Sequence, residues 1–342
     1  MGKRLGVIGY GWMGQLLGRV AAEIPGVKLV AVADPAGYSE KSAVGLRLFR
    51  SPEELGARLY LDYGEMLKRE SLDAVIIATP EPLHVDPVLQ AVSAGCHVFL
   101  EKPIARTLDE ADRIIAACAN AKRKLMIGYI LRFEPAYVAI KRAVQNGEIG
   151  KLKVAYGRRN GSIDEARRLK GRTSVTNYIA VHDIDQILWY HEGVAVKTVY
   201  AKAVRGRVQE ELGTWDFSWS MFEFRDGSLG VVETGWGLPE NSWGDAKMQV
   251  IGTKGQCALD FVPMNLMTVA PEGWKFPVTR LWTEVEGRLV GAVQTEVAHF
   301  VECLEADREP CVSGMDGRRS LEVALATEMS IEKGGEIKLP LQ

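Results

Sequence analysis

The first 130 residues alternate two kinds of apolar pattern. Short continuous runs occur at Lys3–Ile8, 28–33, 73–78, 97–100 and 124–130. Each is too short for a helix of ordinary length and is closed by glycine, proline or a charged residue, as buried strands are. Between the runs, apolar positions recur every three or four residues. Leu16, Leu17 and Val20 share one helical face before Pro25-Gly26 ends it; 84–94 is helical up to Gly95; a capping box, Thr107-x-x-Glu110, opens a helix to residue 120. Residues 39–70 read as helical pieces with a short strand near 59–61. Strand alternating with helix predicts a parallel, doubly wound sheet of Rossmann type over residues 1–130.

After a helix at 135–146 and the turn Gly147-Glu148-Ile149-Gly150, the period falls to two, at 152–156, 196–201, 216–224, 228–234 and 246–251. Phe217, Trp219 and Met221 share one strand face, Ser218 and Ser220 the other. The turns Arg225-Asp226-Gly227 and Gly252-Thr253-Lys254-Gly255 predict hairpins. Helices at 181–191, 292–304 and 316–331 are expected to cover one face of this sheet, the second through the stripe Val293, Val297, Phe300, Val301 and Leu304. Residues 131–342 therefore read as an α+β domain with a mostly antiparallel, open-faced sheet for substrate binding and oligomerisation. The uncovered face predicts a homodimer or homotetramer.

Composition narrows the functional classes. The 342 residues are 47% hydrophobic and 25% charged, with formal net charge −2. That near balance gives no electrostatic footprint for nucleic acid or an anionic membrane. No apolar run reaches the roughly 18 residues that would span a bilayer. The five cysteines are scattered without a Cys-x-x-Cys pair, so reduced thiols and a cytoplasmic location are expected, with no zinc site.

The sharpest local chemistry is Gly9-x-Gly11-x-x-Gly14, directly after the first strand and opening the first helix. A second strand then ends at Asp34, 20 residues beyond the last glycine. Gly9 turns the chain, Gly11 admits a pyrophosphate, and Gly14 lets helix and strand approach. The helix N-terminus, with Trp12 and Met13, offers free N–H groups to the phosphates. Asp34 would accept hydrogen bonds from a ribose and would repel a 2′-phosphate, so NAD is favoured over NADP; Lys41 is the one nearby cation that speaks for the latter. In such sheets ligands sit beyond the carboxyl ends of the strands. Thr79-Pro80, Glu101-Lys102-Pro103 and Arg132 fall there beside the glycine loop.

In the second half, Tyr178-Ile179-Ala180-Val181-His182-Asp183-Ile184-Asp185 opens a helix on which His182, Asp185 and Gln186 share a face, so Asp185 can orient the imidazole. No further histidine or cysteine lies near, which makes it a poor metal site. Arg158, Arg159, Arg167, Arg168, Lys170 and Arg172 form a basic stretch, read as a loop, that could meet an anionic substrate, could be solvated or could touch a second subunit. Trp236 and Trp243 could stack on a sugar or pack in the core.

These motifs together resemble the Gfo/Idh/MocA family of oxidoreductases. The resemblance runs from Gly9-x-Gly11-x-x-Gly14 through Thr79-Pro80-x-x-x-His84, Ala94-Gly95-x-His97-Val98-x-x-Glu101-Lys102-Pro103, Gly128-x-x-x-Arg132-Phe133-x-Pro135, His182-x-x-Asp185, Gly252-Thr253-x-Gly255 and Asp316-Gly317. It implies a Rossmann domain joined to an open-faced α+β domain, and an NAD-dependent dehydrogenase of a polyol, sugar or sugar acid. It implies that Gly9, Gly11, Trp12, Met13, Gly14, Asp34, Thr79, Pro80, His84, Glu101, Lys102 and Arg132 serve the cofactor. Lys102 would handle the proton at the reacting hydroxyl, with His182 assisting. Substrate would meet Lys102, Tyr178, His182, Arg159 and Arg168. Tyr178 stands where the family often has an aspartate, and a phenol lacks the carboxylate's charge. That departure keeps open a redox-neutral isomerase, hydrolase or lyase using NAD catalytically, and a ligand sensor without turnover.

Overall fold

The computed structural model describes residues 2–38, 50–240, 242, 244–260, 268–270, 273–275 and 279–341. Lys41, Trp243 and the helical pieces expected at 39–49 lie outside the described residues. Contacts divide the chain into two compact units, Met1–Glu134 with Val278–Arg318, and Pro135–Pro277 with Arg319–Gln342.

In the first unit, β1 (Lys3–Ile8), α1 (Trp12–Glu23), β2 (Val27–Ala33), β3 (Arg58–Tyr60), α2 (Tyr63–Arg69), β4 (Ala74–Ile77), α3 (Val85–Ser93), β5 (His97–Glu101), α4 (Leu108–Asn120) and β6 (Leu125–Gly128) follow in order. The strands form one parallel sheet in the order β3-β2-β1-β4-β5-β6. Val75, Ile76, Ile77, Val98, Phe99 and Leu100 are all 0% exposed. Burial on both faces is why these strands read as continuous apolar runs rather than alternating ones. The strand order turns back at β1 and β4, the point where such sheets bind dinucleotides.

In the second unit α5 (Pro135–Gln145) leads into β7 (Leu152–Ser162), α6 (Ile163–Leu169), a π-helical turn at Thr176–Ala180, α7 (Val181–Tyr190), β8 (Val196–Val204), α8 (Arg207–Leu212), β9 (Phe217–Phe224), β10 (Leu229–Leu238), β11 (Asp245–Gly252) and β12 (Gln256–Asp260). A small hairpin, β13 (Thr268–Ala270) and β14 (Gly273–Lys275), comes next. The large sheet is antiparallel except between β7 and β10. Ser218 and Ser220 are its buried side, whereas Trp219 and Met221 are exposed with Tyr200, Val204 and Ile251. The aromatic face is thus the open one, and the serines lie on the buried side of the same strand.

Two expectations are corrected. Arg158–Gly161 is not a loop: β7 continues through it, because the arginines on this strand are satisfied by acids far away in sequence, Arg158 by Asp245 at 2.7 Å and Arg159 by Asp183 at 2.8 Å. The helix at 292–304 does not cover the antiparallel sheet. After a hairpin of β15 (Thr283–Val285) and β16 (Arg288–Val290), the chain forms α9 (Ala292–Glu305) within the first unit. There the expected stripe is buried, and Phe300 meets Phe99 edge-on at 5.8 Å between centroids. α10 (Gly314–Lys333) and β17 (Ile337–Lys338), which pairs with β8, close the fold.

Candidate functional site

The glycine loop is built by steric exclusion. Gly9 has φ +85°, and a Cβ there would lie 2.7 Å from the Thr79 backbone nitrogen; a Cβ on Gly14 would overlap the Gly9 carbonyl oxygen. A Cβ on Gly11, in contrast, would meet nothing within 4 Å. Protein packing therefore does not explain Gly11, and the open space beside it fits a ligand drawn close to the backbone. α2 and α4 are capped by the side chains of Asp62 and Thr107, but Gly11 caps α1 with no side chain. A helix N-terminus without a side-chain cap suits an anion. Asp34 ties this loop to the end of β2, its Oδ2 accepting the Tyr10 N–H at 2.7 Å and its Oδ1 the Ala36 N–H at 2.9 Å. The Thr79 hydroxyl, beside Gly9, is a buried oxygen with no hydrogen-bond partner among the described residues. These features fit the phosphates and ribose of a dinucleotide.

His84 acts as a clamp within the protein. It is 1% exposed, with Nε2 3.0 Å from the Thr79 carbonyl oxygen and Nδ1 3.3 Å from that of Ile104. Burial lowers its pKa, and a neutral ring can donate to only one of these two carbonyls. It fastens the loop after β4 to the loop after β5. Glu101 is likewise turned inward. Its carboxyl occupies the space over Gly128, where a Cβ would come within 3.1 Å of Oε1, and Oε2 accepts the Lys102 N–H at 3.1 Å. Burial pushes the Glu101 carboxyl up to about 7, opposed by the Lys102 charge and that N–H. Arg132 sits in a 3₁₀ turn, Ile130–Phe133, and reaches Asp316 at 3.4 Å and the Cys311 carbonyl oxygen at 3.5 Å. Lys102 itself is half-buried at the first position past β5. Because β1, β4 and β5 are adjacent, Gly9, Thr79 and Lys102 leave neighbouring strands at one sheet edge, spanning about 10 Å at ordinary strand spacing.

In the second unit Tyr178 lies in the π-helical turn and His182 is the second residue of α7. Arg168 donates to the Tyr178 hydroxyl at 3.1 Å and lies 6.0 Å from the ring centre, so these two expected substrate residues are neighbours. Arg159 is instead committed to Asp183 and, at 3.0 Å, to the Tyr137 hydroxyl. Gln186 donates to Asp185 at 3.4 Å and accepts from Tyr190 at 3.2 Å. Glu328 of α10 takes hydrogen bonds from Ser174 and, at 2.9 Å, from Asn177, fixing the entrance to the turn. Asp183, Tyr137 and Glu328 support the segment bearing His182, and spacing alone could not reveal them, since each partner is remote in sequence. Trp236 is a core residue, 0% exposed among Ile163, Leu169, Val175 and Val208, its indole N–H on the Trp215 carbonyl at 2.9 Å. Among the described residues no cluster of His, Cys, Asp or Glu could hold a metal ion, and no helix is long and apolar enough to cross a membrane.

Residues 3–129 match an oxidoreductase family described as having an NAD-binding Rossmann fold, and residues 137–258 match the C-terminal domain of the same family, Gfo/Idh/MocA. A scyllo-inositol 2-dehydrogenase (NAD(+)) of Bacillus subtilis is 28% identical over 99% of this chain and 97% of its own. An inositol 2-dehydrogenase of Rubrobacter xylanophilus is 30% identical over 98% of this chain and 92% of its own. Among solved structures, the scyllo-inositol dehydrogenase of Lactobacillus casei with bound NAD(H) and scyllo-inositol superposes with a TM-score of 0.82 at 21% identity, over 99% of both chains.

Proposed function

The chain belongs to the Gfo/Idh/MocA family of NAD-binding oxidoreductases, and from that premise we propose that it interconverts a secondary alcohol of a cyclic polyol, sugar or sugar acid with the corresponding ketone. Inositols are the first substrates to test, because relatives matching nearly the whole chain carry that name. The observation that carries the reading is the shared sheet edge: a glycine loop emptied for a dinucleotide, and a lysine two strands away at the same end of the sheet.

Bound NAD supplies the two-electron hydride acceptor or donor. The Lys102 ammonium or amine holds and moves the proton at the substrate oxygen, and His182 is the assisting group. Tyr178, steadied by Arg168, binds a substrate hydroxyl in place of the family's acid. A group positioned for such a proton transfer contributes about 10²–10⁴ in rate. Subunits associate through the open face of the large sheet, where Tyr200, Trp219 and Met221 are exposed; light scattering on the purified chain should give a dimer or tetramer, and Trp219→Glu should reduce its mass.

The test is incubation with NAD and a panel of inositols, alditols, aldoses and sugar acids, reading nicotinamide reduction optically and products by mass spectrometry and NMR. NADH appearing with a keto product, and lost in Lys102→Ala with NAD affinity retained, is the expected result. Full turnover in Lys102→Ala would remove Lys102 from the chemistry. Substrate conversion without net NADH would favour a redox-neutral reaction, for which Tyr178 is the motivating residue.

A further inference from the structure

The segment Thr279–Gly291 returns from the second half of the sequence and lies along α1 beside the glycine loop. It is held there at several independent points. Arg19, 0% exposed on α1, reaches Glu284 at 2.8 Å and the Gly287 carbonyl oxygen at 2.9 Å. Glu23, one helical turn further on, accepts the Leu289 N–H at 2.7 Å and pairs with the same arginine at 2.8 Å. Arg280 is paired with the buried Glu134. The two ends of the segment are pinned together, since the carbonyls of Arg280 and Leu281 accept the first N–H groups of α9 from Ala292 and Val293, at 3.1 and 3.0 Å. Gly291, at φ +108°, makes that closure possible: a Cβ there would lie 2.7 Å from the Arg280 oxygen and 2.9 Å from the Leu281 oxygen.

A strap this firmly fixed displays one large side chain toward the loop. Trp282 meets Trp12 edge-on, with ring centroids 5.1 Å apart and planes at 72°. Trp12 is the first residue of α1, directly after Gly11, and both indoles are only half-buried. The residue following the second glycine stands beside the position a pyrophosphate takes over the helix N-terminus. The remaining surface of the two rings thus borders the space that Gly11 leaves open.

We propose that the strap is a built part of the cofactor site, and that Trp282, braced against Trp12, walls the pyrophosphate side of a bound dinucleotide and slows its escape. The proposal rests on the dinucleotide reading of the glycine loop and is independent of which reaction Lys102 serves. Arg19, Glu23 and Arg280 are the positioning residues that keep the wall in place.

The experiment uses NADH and the full-length chain, and reads no turnover. Exciting the indoles and recording dihydronicotinamide emission follows binding and, by dilution or chase, release. Trp282→Ala should weaken NADH binding roughly tenfold, mainly through faster release, and should lower the sensitised emission. Trp282→Phe should recover most of the affinity. Amide exchange on the wild-type chain supplies a readout that requires no variant: NADH should slow exchange across 279–291. Wild-type affinity and release in a folded Trp282→Ala, or exchange in the strap that NADH leaves unchanged, would overturn the proposal. Neither result depends on finding a substrate, so a failure here is distinct from a failure of the dehydrogenase reading.

Discussion

Arg159 holds Asp183 with two nitrogens, Nε to Oδ2 at 2.8 Å and a terminal nitrogen to Oδ1 at 3.1 Å, and Asp183 is 0% exposed. The pair joins β7 to α7 one residue from His182. Removing the arginine leaves a buried carboxylate without its countercharge, which costs about 3–5 kcal/mol. Arg159→Ala should therefore lower the melting temperature severely, and Arg159→Met with Asp183→Asn should recover part of the loss. An Arg159→Ala protein as stable as wild type, but with a raised KM for an anionic substrate, would return Arg159 to the substrate.

Gly11 and Gly14 should separate binding from folding. At Gly11 the backbone is ordinary, φ −70°, and a Cβ finds open space. Gly11→Ala should leave stability within about 1 kcal/mol of wild type, since an allowed backbone position tolerates alanine, while NAD affinity falls. Gly14→Ala places its methyl against the Gly9 carbonyl and should lower the melting temperature even without cofactor. Calorimetry with and without NAD distinguishes the two, and equal destabilisation in both variants would refute the assignment of Gly11 to the ligand.

Glu101 makes stability depend on pH in a definite direction. Burial raises its pKa from the ordinary 4.5 to about 7, and Glu296 is raised by its own burial and by the Glu101 charge. A carboxyl raised on folding binds its proton more tightly in the native state. Its ionisation therefore costs nothing below the unfolded value, and the cost grows through the window between 4.5 and about 7, reaching on the order of 3 kcal/mol above it. Glu101→Gln should raise the melting temperature at pH 8 far more than at pH 5. An equal shift at both pH values would mean that folding leaves the Glu101 pKa where it is in the unfolded chain.

Tyr178→Phe removes only a hydroxyl, the one that Arg168 approaches. Turnover should fall while NADH affinity stays within twofold of wild type, because a single hydrogen bond to substrate is worth about 0.5–1.5 kcal/mol. Unchanged kinetics would assign the ring to packing beside Trp236.

The first unit was the more legible half in the sequence because its signals are local. Doubly buried strands read as apolar runs, and the glycine spacing and Asp34 fall within one βαβ unit. Lys102 and His182 were visible as residue types at element ends. What stayed hidden was pairing over long sequence distance. That His84 bridges Thr79 and Ile104 could not be read from its spacing. Arg159 looked available because Asp183 is 24 positions away on another element. The stripe on α9 announced an amphipathic helix correctly, but a stripe names no partner, and Phe300 of that stripe meets Phe99 in the first unit.

That return of residues 278–318 has a consequence for how the protein is made. On the ribosome, α1 and β5 emerge long before Glu284 and Phe300, their partners in the finished unit. Arg19 has Glu23 of its own helix but must wait for Glu284, and Phe99 for Phe300, while more than half the chain is still being synthesised. The first unit can close only once residue 318 has been made, and the second, which takes Arg319–Gln342, only at the end of synthesis. A gene cut after codon 134 would encode the glycine loop and Lys102, yet its product would lack the helix and strap that complete the same unit.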